Sequence, residues 1–240
     1  MSNAEPSEVD ESTRRYFDQF TPPFNPKRFR FALEFLSTLD RDSTVADVGC
    51  SNGPTIELVR KNTELHDFVG IDIAEKYLDQ CRTNTGASTL QGSILDRSFV
   101  ERYTSRFDVV ILGAVLHHLV GTTRRRSLAN AETALRHCAE LVRPGGALVI
   151  FEPTYTPQWM LAAVFYVKRL VSAVYNRRIE IMSRDVNFGA PVVSYLSKKR
   201  LREYLERISG LQIAYFQTLD RGTVAGVIHR QGVGVICRRV

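Results

Sequence analysis

The sequence predicts an α/β fold built on βαβ units, and three observations carry that expectation. Short apolar runs alternate with segments of helical period. The first such run, Thr44 to Val48, breaks at once into glycines and then into a helical pattern with Ile56, Leu58 and Val59 as its apolar positions. A later run, Phe107 to Gly113, is almost continuously apolar, as a strand covered on both faces must be.

The stretch Val45-Ala46-Asp47-Val48-Gly49-Cys50-Ser51-Asn52-Gly53-Pro54-Thr55 organises the rest. Strand, tight turn and helix bring a backbone close to a nucleoside: the glycines tolerate φ > 0, and the helix start offers unpaired N–H groups. A dinucleotide site wants G-x-G-x-x-G facing a pyrophosphate. Here Ser51 replaces the middle glycine, and no glycine stands at the sixth place. Asp47, two before Gly49, would repel a pyrophosphate but suits an ammonium or sulfonium. On these residues the chain resembles the class I S-adenosylmethionine-dependent methyltransferases, whose first motif reads acidic-x-G-x-G-x-G. The resemblance implies S-adenosyl-L-methionine as cofactor, with Asp47, Gly49, Ser51 and Gly53 around it.

At 240 residues and 44% apolar composition, the chain can bury one full core. A charge of +6 and a pI near 9.3 are expected to reflect a mildly basic surface, and nucleic acid is not the expected partner. The cysteines Cys50, Cys81, Cys138 and Cys237 lack C-x-x-C spacing, which argues against zinc and against a disulfide framework. No metal is expected. Reduced thiols and a polar, acidic start without a secretory leader fit a cytoplasmic protein.

In chain order, Arg14 to Phe20 reads as a short aromatic helix ended by Pro22-Pro23. A second helix follows from about Pro26, with Phe29, Leu33, Phe35, Leu36 and Leu39 on its apolar side. In the family such helices lie across the cofactor mouth, so Tyr16 and Phe17 are either ligand contacts or sheet packing. Phe68 to Ile73 is a buried-type strand, and Asp72 lies nineteen residues beyond Gly53, the reach of one helix and a return strand. A carboxylate there accepts both ribose hydroxyls, and Ile73 lies against adenine; the other reading of Asp72 is a cap for the helix from Ala74 to Arg82. The third strand is Ser88 to Gln91. By the resemblance, Ser93 meets the adenine amino group and Ile94 covers the ring. Asp96 is expected to cap the helix that runs toward Tyr103.

After the central strand, Gly113 to Leu119 faces the methionine part of the cofactor and the acceptor, at the sheet edge where open α/β sheets bind ligands. His117 or His118 is the candidate general base for a hydroxyl acceptor, His118 being preferred; a structural role in the loop is the alternative. No Asn/Asp-Pro-Pro-aromatic run and no Pro-Cys nucleophile occur. Arg124-Arg125-Arg126 opens a long helix as a solvated face, with Leu128, Ala131, Leu135, Cys138 and Leu141 as its spine. Arg143-Pro144-Gly145-Gly146 is a helix stop and turn into a fifth strand, where Glu152 reaches toward the acceptor.

Trp159 to Val167 is an unbroken apolar run, and the helix it opens continues to Tyr175. It falls short of the ~20 residues that span a bilayer. Being apolar nearly all round, it must cover something: an apolar acceptor, another subunit, the core, or a membrane surface with Arg177-Arg178 at the headgroups. Asn187 to Val193 is read as a loop, Ser197 as the cap of an amphipathic helix, and Leu211–Thr218 and Val233–Val240 as two closing strands.

Five signals fall in the family's order: the glycine turn, Asp72, Gly92-Ser93, Leu112 to Leu119, and Arg143 to Gly146. The resemblance therefore implies a Rossmann-like, seven-stranded, doubly wound sheet with N-terminal helices and a helical lid insertion after strand 5. As one domain it divides into a helical cap (1–42), a cofactor core (43–153), a lid (154–193) and a C-terminal helix and strand pair (194–240). The expected activity is methyl transfer to a small, apolar or lipid-linked acceptor, with O-methylation favoured. The alternatives are an RNA-directed methyltransferase and a non-catalytic module of the same fold. Peripheral membrane contact and subunit number stay open.

Overall fold

The computed structural model describes residues 26–174, 192–224 and 226–240. Its sheet has seven strands in the order β3-β2-β1-β4-β5-β7-β6. They are β1 (Val45–Val48), β2 (Phe68–Asp72), β3 (Ser88–Gln91), β4 (Phe107–Gly113), β5 (Val142–Thr156), β6 (Leu211–Val224) and β7 (Ile228–Arg239). Strands β1 to β5 pair parallel, and β7 is antiparallel to both β5 and β6. Because β1 pairs with β2 on one side and β4 on the other, the winding reverses there. That reversal leaves a crevice outside the carboxyl ends of β1 and β4.

Seven α-helices accompany the sheet among the described residues: α1 (Arg30–Leu36), α2 (Pro54–Asn62), α3 (Glu75–Thr85), α4 (Arg97–Arg102), α5 (Arg124–Leu141), α6 (Gln158–Val174) and α7 (Lys198–Glu206). Residue alternation along the strands feeds two cores. Val45, Val109, Ile111 and Val149 pack with Leu36, Ile56, Val59 and Leu78 of α1 to α3. Ala46, Val48, Val110, Leu112 and Ile150 pack with Phe99, Leu135 and Leu205 of α4, α5 and α7. With helices on both sides the strands are apolar on both faces, hence their continuous runs.

Most boundaries fall where the sequence puts them, and the exceptions have causes. The second predicted helix begins as a 3-10 turn, Pro26–Phe29, before α1. The Arg143 to Gly146 segment is carried within β5, where the register against β4 shifts and Gly145 takes φ +81. The closing strands are longer than expected, because Asp220 Oδ1 accepts the Gly232 N–H at 2.8 Å and extends the β6–β7 ladder outward. Asp96 caps α4 through the Ser98 N–H, and Ser197 caps α7 through the Arg200 N–H. No described helix is long and apolar enough to cross a membrane. Tyr16, Phe17, Tyr175, Arg177, Arg178 and the loop up to residue 191 lie outside the described residues.

Candidate active site

The glycine turn is held rigidly over the end of β1. Gly49 and Cys50 N–H groups both donate to Ile71 O (2.7 and 3.1 Å), and Gly53 N–H donates to Cys50 O. Three left-handed residues, Gly49 (φ +74), Ser51 (+49) and Gly53 (+91), fold the backbone back onto itself before Pro54 opens α2. A Cβ on Gly49 would stand 2.5 Å from Val115 Cγ2, so the close approach of the two loops requires glycine there.

Asp72, at the end of β2, is the clamp of this turn. Its Oδ2 accepts the Ser51 N–H at 3.1 Å and its Oδ1 accepts the Ala74 N–H at 3.0 Å. The carboxylate thus braces the start of α3 and the glycine loop together. Burial pushes its pKa up, opposed by the N–H groups of Ala74, Ser51 and Ile73. Ile73 stands beside it, an exposed large apolar side chain at 37% accessibility. Ser93 lies at the end of β3, its Oγ accepting the Leu95 N–H at 3.2 Å. Ile94 is buried with Leu95 and Phe99.

Asp47 lies beneath the turn, only 2% exposed. Burial raises its pKa well above the usual carboxylate range, reinforced by Cys81 and Asp72 and opposed by the Thr55 hydroxyl. Asp47 Oδ2 and Ser51 Oγ are buried without a hydrogen-bond partner among the described residues. Gly113 closes the group at the end of β4, where Phe29 Cζ would stand 2.6 Å from a Cβ. The four described cysteines are all buried and free, and no described cluster of His, Cys, Asp and Glu has metal-holding geometry.

The second half of the crevice is built by β4, β5 and α6. After Ala114, in the left-handed region at φ +59, a 3-10 turn Leu116–His118 follows. Glu152 of β5 is fully buried (0% exposed) and gathers this turn. Its Oε1 lies 2.7 Å from His117 Nδ1 and accepts the His117 N–H, while Oε2 accepts the Leu116 N–H. Burial pushes Glu152 up; it lowers His117 to about 3, with Arg28 and Lys168 adding to the effect. His118 is likewise lowered, by burial, His117 and Lys168. The imidazoles are therefore held neutral. The His117 ring lies 3.9 Å from that of His118 and stacks at 5.0 Å on Tyr195.

One feature differs from the sequence reading, and one lies beyond it. Arg124 is buried rather than solvated, donating to Gln158 Oε1 and Tyr195 O and so pinning the start of α6 to the segment before α7; Arg125 and Arg126 remain outside. Lys168 is also buried, which the apolar run around it conceals. The signal was available: Leu161, Phe165 and Lys168 follow the i, i+4, i+7 spacing of one helix face.

A family described as a methyltransferase domain matches residues 46–150, from β1 through most of β5. Over these residues the chain carries a methyltransferase domain. The tRNA (carboxymethyluridine(34)-5-O)-methyltransferase ALKBH8 of Mus musculus is 33% identical over 119 residues, which cover 50% of this chain and 16% of that protein. The ubiquinone biosynthesis O-methyltransferase of Vibrio parahaemolyticus is 30% identical over 157 residues, 60% of this chain and 61% of that one. Among solved structures, an S-adenosylmethionine-dependent methyltransferase of Methanosarcina mazei superposes with a TM-score of 0.57 at 16% identity, covering 84% of this chain and 94% of that one. The methyltransferase domain thus spans a small part of the first relative and about three-fifths of the second. Its cofactor is S-adenosylmethionine, and the partnerless Asp47 and Ser51 atoms beside a glycine turn suit such a ligand.

Proposed function

We propose that the domain transfers a methyl group to an oxygen of a small acceptor held between the glycine turn and α6. The observation that carries this reading is the buried Glu152–His117 pair at the carboxyl edge of the sheet, beside the glycine turn. S-adenosylmethionine, when bound, supplies the electrophilic methyl. The chain would hold it through the backbone of Gly49, Ser51 and Gly53, with Asp72 toward the ribose, Ile73 and Ser93 toward the adenine, and Asp47 toward the cationic end. Ile94 and Gly113 would shape the walls. Glu152 fixes the His117 ring at Nδ1, which leaves Nε2 as that ring's remaining site for an acceptor hydroxyl. Held neutral by burial, His117 accepts a hydrogen bond and orients the oxygen; alignment is then the main source of rate. His118 assists from the adjacent ring. The N-terminal turn, the lid α6 and the strand pair exclude water around it, in the cap, core and lid division expected above.

Calorimetry with S-adenosylmethionine and S-adenosylhomocysteine, and NAD as control, is the test. Binding of the first two alone supports the reading and justifies an acceptor screen that includes lipid-soluble compounds. No binding to folded, cofactor-free protein would overturn it.

The matches to tRNA methyltransferases favour a second reading, an RNA acceptor. It requires tight RNA binding that falls steeply with salt. Weak, sequence-indifferent binding would remove it.

A further inference from the structure

Among the described residues, Lys168 is a buried cation with no anion paired to it. It is 7% exposed, on the inward face of α6, and no hydrogen bond or ion pair engages its ammonium among the described residues. A lysine carried this far into the protein without a partner is costly, and an apolar residue would fill that face better. Its place is fixed one turn earlier, where Phe165 packs against Val120 and Val192. One residue on, Arg169 donates to Gly121 O at 3.0 Å. The ammonium consequently lies close enough to His117 and His118 to disfavour their protonation.

A second unpartnered group belongs to a residue bonded to the same histidine turn. Ser194 is 3% exposed, its N–H donates to His117 O at 2.9 Å, and its Oγ has no partner. Glu152 cannot serve Lys168 as a counter-ion without giving up bonds, since both its oxygens are engaged by His117 and Leu116. Arg28, whose guanidinium lies 5.4 Å from the centre of the Phe151 ring, adds more positive charge near His117. Among the described residues, the cations acting on His117 therefore outnumber the Glu152 carboxylate beside it.

We infer that Lys168, with the Ser194 hydroxyl, receives an anionic oxygen of the acceptor, a carboxylate or a phenolate, beside His117. This rests on the methyl-transfer reading for the word acceptor, but not for the anion site itself. An oxygen that arrives ionised needs no proton removed, which suits a neutral, poorly basic imidazole beside it. The rival anion is the cofactor's own carboxylate, so the test is made with that position filled.

The experiment uses the full chain saturated with S-adenosylhomocysteine and measures binding of benzoate and 4-nitrophenolate against the neutral benzamide and benzyl alcohol. The anions are expected to bind at least about tenfold more tightly than their neutral counterparts. Lys168→Met should erase that preference, Lys168→Arg should restore part of it, and Ser194→Ala should weaken it with Lys168 intact. Benzoate alone preferred would assign a carboxylate, and nitrophenolate alone a phenolate. No preference in the wild-type chain, or the same preference in Lys168→Met, overturns the inference. So does a loss of S-adenosylhomocysteine affinity in Lys168→Met, which would give the lysine to the cofactor. Anion binding through Lys168 in a chain that ignores S-adenosylhomocysteine would keep the site and sink the methyl-transfer reading.

Discussion

Asp47 and Asp72 carry carboxyls of similar chemistry in unlike surroundings, and their substitutions separate binding from stability. Asp72 is the clamp of the glycine turn, so Asp72→Ala frees the Ser51 and Ala74 N–H groups as well as removing a ribose partner. A loss of cofactor affinity is expected, with a stability cost of roughly 1–3 kcal/mol for the orphaned donors; calorimetry and urea unfolding read the two effects. Asp47 behaves oppositely. Its carboxyl is raised by burial, so the folded chain binds a proton more tightly than the unfolded chain does. Stability from this group is full below the unfolded value near 4 and is lost as pH rises through the folded one. Asp47→Asn should therefore gain on the order of 1 kcal/mol at neutral pH, the gain vanishing below about pH 4, while cofactor affinity falls. Urea midpoints for both proteins at pH 7 and pH 4 check the sign; an Asn variant less stable at pH 7 would refute it. At this scale the sequence was readable wherever a residue type had one job. Gly49, Gly53 and Asp72 stood out by spacing. Lys168 and Arg124 did not, because a long cationic side chain reads as surface until a neighbouring segment is known to cover it. The sequence reading preferred His118 to His117, because Glu152, the partner that singles out His117, is 35 residues away and brought near only by β4–β5 pairing.

Among the elements, the loop between β1 and α2 has the least freedom to change. Gly49→Ala places a Cβ against Val115 and forces a side chain into the left-handed region, which alone costs about 1–2 kcal/mol. Cofactor affinity should fall with it. Adding Val115→Ala should recover the steric part but not the backbone part, a split visible as partial rescue in calorimetry. Full rescue would show that the left-handed turn itself is not costly. The elements were legible in proportion to their punctuation. The third strand is found as read, Ser88–Gln91, because Gly86 precedes it and Gly92 follows. The β6–β7 pair was read short because Gly222, Gly226 and Gly232 look like a loop until the ladder between the strands is seen. Helix α6 was anticipated as an apolar cover, and it does bury Leu161 and Phe165 while leaving Trp159, Tyr166, Val167 and Leu170 outward.

For the whole molecule, ligand linkage gives a quantitative test. S-adenosylhomocysteine at about one hundred times its dissociation constant should stabilise the fold by about 2.7 kcal/mol. For a chain of this length that corresponds to a rise in Tm of roughly 5–11 °C. NAD should produce none; equal shifts from both would mean a generic effect of adenine nucleotides. The order of the sheet was legible only through the ordered set of five signals, since no single strand says which neighbour it takes. That order carries one more consequence. Strand β7 follows β6 in the chain, yet it takes the place beside β5 and separates the two. Until β7 emerges during synthesis, the 15-residue β5 offers a bare row of N–H and C=O groups to any passing strand. Its apolar faces add to that hazard, so the nascent chain should depend on chaperones until β7 is made.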